Sequence, residues 1–183
     1  MRWIRENWRY FVLALAVAFA THMASVALIP RLVMTIALNK MSAAHGFNTM
    51  TQSPRPTSAS RAVVRPSPDL LYSACPFDLD KVGSGGVRIS ANAMPHTYWS
   101  VSVFDAETNN FFTLNDSQAK SGSVDIVIVG PHTGLVDNGA PRQVRSPTAR
   151  GLVLFRTLID NDNHLAAIDT ARRHASCAPY ERE

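Results

Sequence analysis

The chain has 183 residues, with 18 basic and 14 acidic side chains. Its positive charge is concentrated in residues 1–60, where the net charge is +5, whereas the remaining 123 residues carry a net charge of −1. A nucleic-acid-binding domain concentrates positive charge on its folded part, so this distribution excludes nucleic acid as the expected partner. After a membrane segment and a linker, the length leaves room for one folded domain of about 120 residues.

The first predicted element is an apolar segment from Tyr10 to Ile29 that contains no formally charged residue. Its 20 residues, at about 1.5 Å each, are long enough to span the roughly 30 Å hydrocarbon core of a bilayer. Three arginines precede the segment and only two basic residues closely follow it. This bias favours a single-pass protein of a bacterial inner membrane, with a cytoplasmic N-terminus, a periplasmic C-terminal domain and the lipid bilayer as partner.

A cleaved signal peptide is the alternative interpretation of this region. The small-x-small sequence Ala18–Phe19–Ala20 is typical of a cleavage site. The apolar character continues beyond it through Leu38, which makes the segment longer than the usual apolar region of about 7–15 residues in a signal peptide. An uncleaved anchor with a following helical stretch is therefore predicted over residues 1–41.

A change in composition marks the next segment, residues 42–68. It is rich in Ser, Thr and Ala and contains four prolines, at positions 54, 56, 66 and 68. Such a segment buries too little apolar surface to fold alone, so it is predicted to be an extended linker. Residues 69–183 are then predicted to form a single β-rich domain.

The pattern of this domain has the period of β-strands. Trp99, Val101 and Val103 alternate with two serines, Ser100 and Ser102, as in a strand with one buried face. Turn-forming sequences rich in Gly, Asn and Asp separate six such segments. The predicted strands cover residues 70–79, 87–90, 98–104, 111–114, 123–129 and 151–159. The fold class is therefore predicted as mainly β, an antiparallel sandwich or curled sheet with a C-terminal helix and one N-terminal transmembrane helix.

The C-terminal helix is predicted to begin at Asn161 or Asp162 and to end before Pro179. We expect its apolar stripe, which includes Leu165 and Ile168, to pack on the sheet. This packing would bring the end of the helix, with Cys177, back toward the first strand.

Cys75 and Cys177 are the two cysteines of the chain, one at each end of the predicted domain. In an oxidising compartment such a pair is predicted to form a disulfide, and closing a loop of about 100 residues contributes roughly 4.7 kcal/mol by the chain-entropy argument. Two unrelated buried thiols are the alternative.

Four motifs carry a resemblance to a known family: Pro68–Ser73 (PDLLYS), Phe77–Leu79 (FDL), Tyr98–Asp105 (YWSVSVFD) and Thr108–Phe112 (TNNFF). Over about residues 65–175 the chain resembles the bacterial family called domain of unknown function 1254, in its short membrane-anchored form. Larger relatives join this domain to a second β-rich domain. The resemblance implies a β-rich envelope protein without an established reaction, and it suggests that a separate protein supplies the second domain.

Five polar residues in or beside these motifs form the candidate ligand or polar site: Asp69, Tyr72, Asp78, Asp105 and Asn110. Asp78 and Asp105 would suit acid and base catalysis on a glycan, provided that both face one cleft. The structural alternative is that these residues cap turns and anchor the edge of the domain.

The sequence contains no nucleophile elbow, metal-ligand spacing or phosphate-binding loop, so no catalytic, metal-binding or cofactor-binding residue is predicted, and no cofactor. The preferred function is a noncatalytic module that binds or assembles with a second envelope protein. The alternative is a hydrolase-like domain acting on an envelope polymer or glycan.

Overall fold

The computed structural model describes residues 2–60, 65–83, 85–119, 122–135 and 141–181, with side chains from residue 7 onward. These ranges contain two α-helices, nine strands and two short 3-10 turns. The helices are α1 (Arg2–His45) and α2 (Leu165–Arg173), and the 3-10 turns are Leu79–Lys81 and Asp162–His164. The strands are β1 (Thr51–Gln52), β2 (Leu70–Asp78), β3 (Gly86–Ala91), β4 (Trp99–Asp105), β5 (Asn110–Asn115), β6 (Val124–Val129), β7 (Arg142–Arg145), β8 (Arg150–Leu158) and β9 (Ser176–Tyr180). The mainly β fold class with a long N-terminal helix is confirmed.

The strands form two sheets. The first sheet has five strands in the order β1-β2-β8-β4-β5, and the second has four in the order β7-β6-β3-β9. Within the described residues, β6 and β7 pair in parallel and all other neighbours pair in antiparallel fashion. The predicted antiparallel pairing thus holds for every neighbouring pair except β6 and β7, and β7 was not among the predicted strands.

The main core lies between the two sheets. Trp99, Val101 and Val103 of β4 are almost completely buried there, as their alternation predicts. Ser100 and Ser102, which were predicted to share a polar face, are also buried. They pair with long side chains of the central strand β8, Arg156 and Leu154 respectively, and long neighbours cover short residues in the middle of a sheet.

The helix α1 is continuous for 44 residues, including Pro30. At about 1.5 Å per residue it is roughly 66 Å long, about twice the thickness of a hydrocarbon core. Its side chains from Trp8 to Ala24 are exposed, whereas Met34, Ala37 and Leu38 are buried. This second part contacts β2 and β8 of the first sheet.

The predicted linker differs from a free tether where the structure describes it. Residues 42–45 complete α1, and Gly46 directly after it has a positive φ of 80° and an amide that bonds to the carbonyl of Ser42. Thr51 and Gln52 then form β1, which pairs with β2. Pro56 beyond this strand is buried. The chain therefore returns to the sheet within a few residues of the helix, while residues 61–64 of the linker lie outside the described ranges.

Each predicted strand agrees with an observed strand to within one residue at either end. Three strands were not predicted: β1, β7 and β9. The terminal helix begins only at Leu165, after a 3-10 turn at whose start the side chain of Asn161 accepts a hydrogen bond from the amide of Asn163. The placement of Cys177 at the end of that helix is wrong, because the chain becomes extended at Ser176 and pairs with β3. Pro179 is tolerated in β9 because β9 is an edge strand.

Candidate functional site

A disulfide joins the two sheets. Cys75 of β2 and Cys177 of β9 are bonded, with their Cα atoms 6.4 Å apart. Both residues belong to the main core, so the bond links the sheets through the interior of the domain. The predicted pairing is thus present, although the partner of β2 is a strand and not a helix.

Asp78, one of the five candidate residues, is the completely buried last residue of β2. Its Oδ2 accepts a hydrogen bond from Nε of Arg150 at 3.0 Å and lies 4.0 Å from Nζ of Lys81. Its Oδ1 accepts from the backbone amide of Asp80 at 3.2 Å. Both carboxylate oxygens are therefore engaged by groups of the chain itself.

The segment after α1 is attached to the same carboxyl-terminal end of β2. The side chain of Asn48 donates to the carbonyl of Asp78 at 3.0 Å and accepts from its amide at 2.8 Å. The ring of Phe47 lies 4.8 Å from the ammonium of Lys81 and 5.5 Å from the guanidinium of Arg150. These are cation–π distances, so Phe47 and Asp78 together hold both cations in place.

Asp105 has a different role, in the turn between β4 and β5. Its Oδ1 accepts from the amides of Glu107 at 2.8 Å and Asn109 at 2.9 Å, and its Oδ2 accepts from the side chain of Asn109 at 3.0 Å. Thr108 between them has a positive φ of 71°. The buried carboxylate thus accepts hydrogen bonds from turn amides in place of backbone carbonyls. This is a common structural role of Asp in tight turns.

The strand register separates these two carboxylates. Asp78 pairs with Arg150 and Asp105 pairs with Gly151, and Arg150 and Gly151 are consecutive residues of β8. Successive residues of a strand point to opposite faces of a sheet, and directly paired residues share a face. The side chains of Asp78 and Asp105 therefore leave opposite faces of the first sheet, and this hypothetical acid–base pair is not brought into one cleft.

The other three candidate residues do not complete a common site. Asp69 and Tyr72 lie toward the opposite end of β2 from Asp78, about 30 Å and about 20 Å away from it by the rise of a strand. The hydroxyl of Tyr72 accepts from the amide of Ser67 at 3.0 Å. Asn110, at the start of β5, is exposed and accepts from the hydroxyl of Thr113 at 2.9 Å. The five residues therefore divide between two ends of the sheet.

Arg172 is a central residue that was not among the predicted site residues. It is 97% buried, as its exposed fraction is 3%. Its guanidinium donates to the carbonyls of Tyr72 at 2.7 Å and Ser53 at 2.9 Å, and to the carboxylate of Asp169 at 2.6 Å. One side chain thus fastens α2 to β2 and to the end of β1. A buried arginine in a short amphipathic helix is not distinguishable by pattern from an exposed one.

Asp169 joins two arginines of α2. Partial burial by itself raises the pKa of Asp169, but hydrogen bonds from Arg173 and Arg172, with the charges of both, together lower this pKa below its ordinary value of 3.8. On the second sheet, the hydrogen bond from Arg88 to Asp125 raises the pKa of Arg88 above its ordinary value, against the effect of desolvation. The raised pKa of Arg88 and the lowered pKa of Asp169 thus both favour the ionised forms of these pairs.

Two open clefts are present on the domain, each of about 400 Å³. One lies beside α2 and contains the ion pairs Arg55–Asp162 and Arg173–Asp169. The other is lined by four glycines, with Asp80 and His132 at its border. Neither is lined by Asp78 or Asp105. Throughout the described ranges, no three His, Cys, Asp or Glu side chains lie close enough together to hold a metal ion.

The most extensive unusual surface is that of α1. Among the described residues it is the one helix that is long and apolar enough to cross a membrane, with a mean hydropathy of 2.2 in its most apolar window and none of that window buried. Leu15 is 69% exposed and Phe19 is 68% exposed. This surface is a much larger apolar area than the exterior of a soluble domain normally carries.

The family described as "Protein of unknown function (DUF1254)" matches residues 47–179. The chain belongs to this family. The matched range covers β1 to β9 up to residue 179, and therefore includes the whole two-sheet core. The family predicted from the four motifs is confirmed, whereas membrane anchoring stays a prediction because the matched range begins after α1.

One solved structure shows the same fold, and a second has a weaker similarity. The VPA0106 protein from Vibrio parahaemolyticus is similar with a TM-score of 0.60 at 14% identity, over 88% of this chain and 42% of that chain. An uncharacterised protein from Burkholderia cenocepacia has a TM-score of 0.47 at 16% identity, over 88% of this chain and 43% of that one. No curated protein matches the chain. The chain thus spans less than half the length of these two solved chains.

Proposed function

We propose that this chain is a single-pass protein of a bacterial inner membrane that holds a noncatalytic β-rich module at the periplasmic surface, where the module binds a second envelope protein. The observation that carries this proposal is the division of α1 into an exposed apolar part and a part that packs on the first sheet. One helix then serves as both the membrane anchor and a structural component of the domain.

Burial in a bilayer accounts for the exposed part of α1. From Tyr10 to Ile29 the helix has no formal charge, and most of its large apolar side chains are at least half exposed. Transfer of such a surface from water into hydrocarbon is strongly favourable, and an α-helix satisfies its own backbone hydrogen bonds there. The three arginines that precede this segment support a cytoplasmic N-terminus.

The disulfide supports a periplasmic location for the domain. Disulfides persist in oxidising compartments such as the bacterial periplasm and are rare in the reducing cytosol. Cys75 and Cys177 are 102 residues apart in sequence, so their bond closes most of the domain into one loop. This agrees with the orientation that the charges around α1 favour.

The roles of the buried carboxylates support binding over catalysis. Asp78 is engaged by Arg150 and Lys81, and Asp105 builds a turn. A general acid or base needs a free position at the reacting group, and these two side chains point to opposite faces of the sheet. The hydrolase alternative therefore gains no support from this pair.

A second envelope protein is the proposed partner. The match covers 42% of the Vibrio parahaemolyticus chain, so more than half of that chain lies outside the shared fold. In larger relatives a second β-rich domain accompanies this one, as the family resemblance implies. A separate protein that supplies an equivalent domain would complete the same assembly.

Topology is tested by fusing, after Glu183, a reporter enzyme that is active only outside the cytoplasm. We expect an active reporter, because the charges around α1 direct the C-terminus outward. We also expect the chain to retain residues 1–29 and to stay in the membrane pellet after an alkaline wash. Activity of a cytoplasm-only reporter at the same position, or a soluble chain that begins between Ala20 and Ser25, would contradict the anchor.

The partner is tested by affinity purification from detergent-solubilised membranes. The matched control is the anchor alone, residues 1–45, fused to an unrelated periplasmic domain. We expect an envelope protein that copurifies with the full chain and not with this control. Equal recovery with both would place the interaction on α1 and contradict a role of the β-rich module.

A further inference from the structure

The path of α1 across the first sheet determines which side of the domain faces the membrane. Arg31 donates a 2.9 Å hydrogen bond to Glu107 in the β4–β5 turn, and Asn48, three residues after the helix, is bonded to Asp78 at the end of β2. Glu107 and Asp78 lie at the same end of the sheet. If the helix ran parallel to the strands, residues 31 and 45, which are about 21 Å apart along the helix, would lie at opposite ends of the sheet. The helix therefore crosses the strands.

The order of this crossing follows from the order of the strands. The helix meets the β4–β5 turn first, through Arg31, and reaches β2 last, through the segment at Asn48. In the first sheet β5 is the edge strand beyond β4, and β1 is the edge strand beyond β2. An anchor that enters from the bilayer therefore brings the β5 edge closest to the membrane.

An anchor that ends at Ile29 would put the β4–β5 turn at the depth of the lipid headgroups. Arg31 lies two positions, about 3 Å of helix, beyond Ile29 at the end of the apolar segment. Beyond Arg31, Leu32 is 60% exposed and Ile36 is 58% exposed. Exposed apolar side chains thus continue beyond Arg31, the residue that holds the β4–β5 turn. The membrane interface that they would contact therefore reaches at least to the level of Arg31.

The second sheet contributes its own edge to the same side of the domain. The guanidinium of Arg142 in β7 lies 5.1 Å from the centre of the Phe112 ring in β5. On the far side, the disulfide joins β2 to β9. We call the side formed by β5 and β7 the basal edge.

The basal edge combines aromatic and basic side chains. Phe111 and Phe112 are partly exposed, and Arg142 and Arg145 are exposed. Arg145 donates to the carbonyl of Thr133 at 3.2 Å, which positions its stem. Aromatic rings favour the headgroup region, and guanidinium groups bind lipid phosphates while their apolar stems remain near the interface. Among the residues that the structure describes, the acidic groups on this side are Glu107, which is paired with Arg31, and the exposed Asp116.

We propose that the basal edge rests on the anionic lipid surface of the membrane that α1 spans, with Arg142 and Arg145 binding lipid phosphates and with Phe111 and Phe112 at the headgroup level. This inference rests on the proposed membrane anchor. Lipid contact along this side also covers the open backbone of β5, an edge that is otherwise available for pairing with another chain.

The test uses the full chain, isotopically labelled, with one copy per lipid nanodisc and a small fraction of lipids that carry a nitroxide on the headgroup. Amide signals of β5 and β7 are expected to lose intensity in discs that contain phosphatidylglycerol, whereas those of β1 and β9 remain. In discs of phosphatidylcholine alone the loss at β7 should be smaller. Intensity losses that are equal on both sides, or larger at β1 and β9, would overturn the proposal.

The arginines are tested with the double variant Arg142→Gln and Arg145→Gln. Two basic residues near an anionic surface together change the equilibrium of contact roughly 30-fold, so the signal loss at β7 should fall to the level seen in neutral lipid. The matched control is Arg65→Gln with Arg173→Gln, which removes the same charge from exposed positions away from the basal edge and should leave the pattern unchanged. An equal effect of both double variants would reject specific contact by β7.

An alkaline wash distinguishes failure of this inference from failure of the anchor. A chain that stays in the pellet but shows no effect at β5 and β7 rejects only the basal contact, whereas a chain that leaves the pellet rejects the anchor. Signal loss at β5 that appears only with two copies per disc would assign this edge to a second copy and overturn the lipid assignment.

Discussion

The two halves of α1 have similar apolar residues and very different surroundings. Leu28 is 60% exposed, whereas Leu38, ten residues later on the same helix, is 2% exposed. None of the most apolar window of the helix is buried, whereas the second half packs on β2 and β8. Packing, and not only chain connectivity, thus holds α1 against the domain. The direction of the exposed half of α1 is therefore fixed relative to the domain.

The largest expected effect comes from placing charge in the first half. In the double variant Leu15→Arg and Phe19→Arg, each arginine costs about 2.5–3.5 kcal/mol of insertion free energy near the centre of a helix. We expect most of the chain to leave the alkaline-washed membrane pellet. The matched control is Leu32→Arg with Ile36→Arg, at the same spacing beyond Arg31, where long basic side chains reach the interface and the chain should stay bound. Equal release of both variants would contradict the division of the helix.

A pair of identical substitutions tests the packing of the second half. Leu38→Ala removes a buried side chain and leaves a cavity, so the free energy of unfolding of the domain should fall by about 2–5 kcal/mol. Leu28→Ala, in the exposed part, should change it by less than about 0.5 kcal/mol. Denaturant unfolding of the detergent-solubilised chain, followed by the fluorescence of the buried Trp99, measures both. A stable domain in the Leu38→Ala variant would mean that α1 does not contribute to its core.

The connection after the helix is tested at Asn48, whose side chain is bonded to the amide and the carbonyl of Asp78. Asn48→Ala leaves these buried groups without partners and places alanine at a φ of 60°, so we expect a loss of about 1–3 kcal/mol in the free energy of unfolding. Asn39→Ala is the matched control, because Asn39 is exposed inside α1 and alanine is the better helix former there. Similar stabilities of the two variants would show that this connection is not structurally important.

The smallest expected effect concerns α2, the other helix that packs on the first sheet. The pKa of Asp169 is lowered in the folded chain, so its ion pairs stabilise the fold above the ordinary pKa of 3.8. This contribution is lost as the pH falls through the lower folded pKa. In Asp169→Asn the unfolding midpoint should therefore fall less at acid pH. The difference should correspond to at most about 1 kcal/mol in the free energy of unfolding. Asp116→Asn controls for removal of one carboxylate, and an unchanged pH profile in Asp169→Asn would refute the assignment.

Local patterns were sufficient for the strands with strong alternation or continuous apolar runs. The segment around Trp99 and Val103 indicates its buried face directly. By contrast, β7 reads Arg-Gln-Val-Arg and β9 contains Pro179, and both form because neighbouring strands supply hydrogen-bond partners. Such pairing depends on residues distant in sequence, so a local pattern does not reveal it. The same limit applies to β1, which has only two residues.

For the candidate site, the sequence did not indicate what each residue contacts, and binding of a ligand by the five residues stays a prediction. Asp78 and Asp105 are both buried and hydrogen-bonded. Their side chains leave opposite faces of the sheet because they pair with consecutive residues of β8. Only the strand register determines this offset of one residue. The buried role of Arg172 similarly depends on how α2 lies against β2.

Amide hydrogen exchange of the full chain in nanodiscs tests the central claim, that a single rigid helix both spans the membrane and packs on the domain. The amides from Tyr10 to Ile29 should be protected by the bilayer. The decisive window is Thr35 to His45, which lies above the hydrocarbon and should be as strongly protected as the central strand β8, because packing and helical hydrogen bonds persist there. Rapid exchange throughout this window, with β8 still protected, would show a flexible tether and contradict the account.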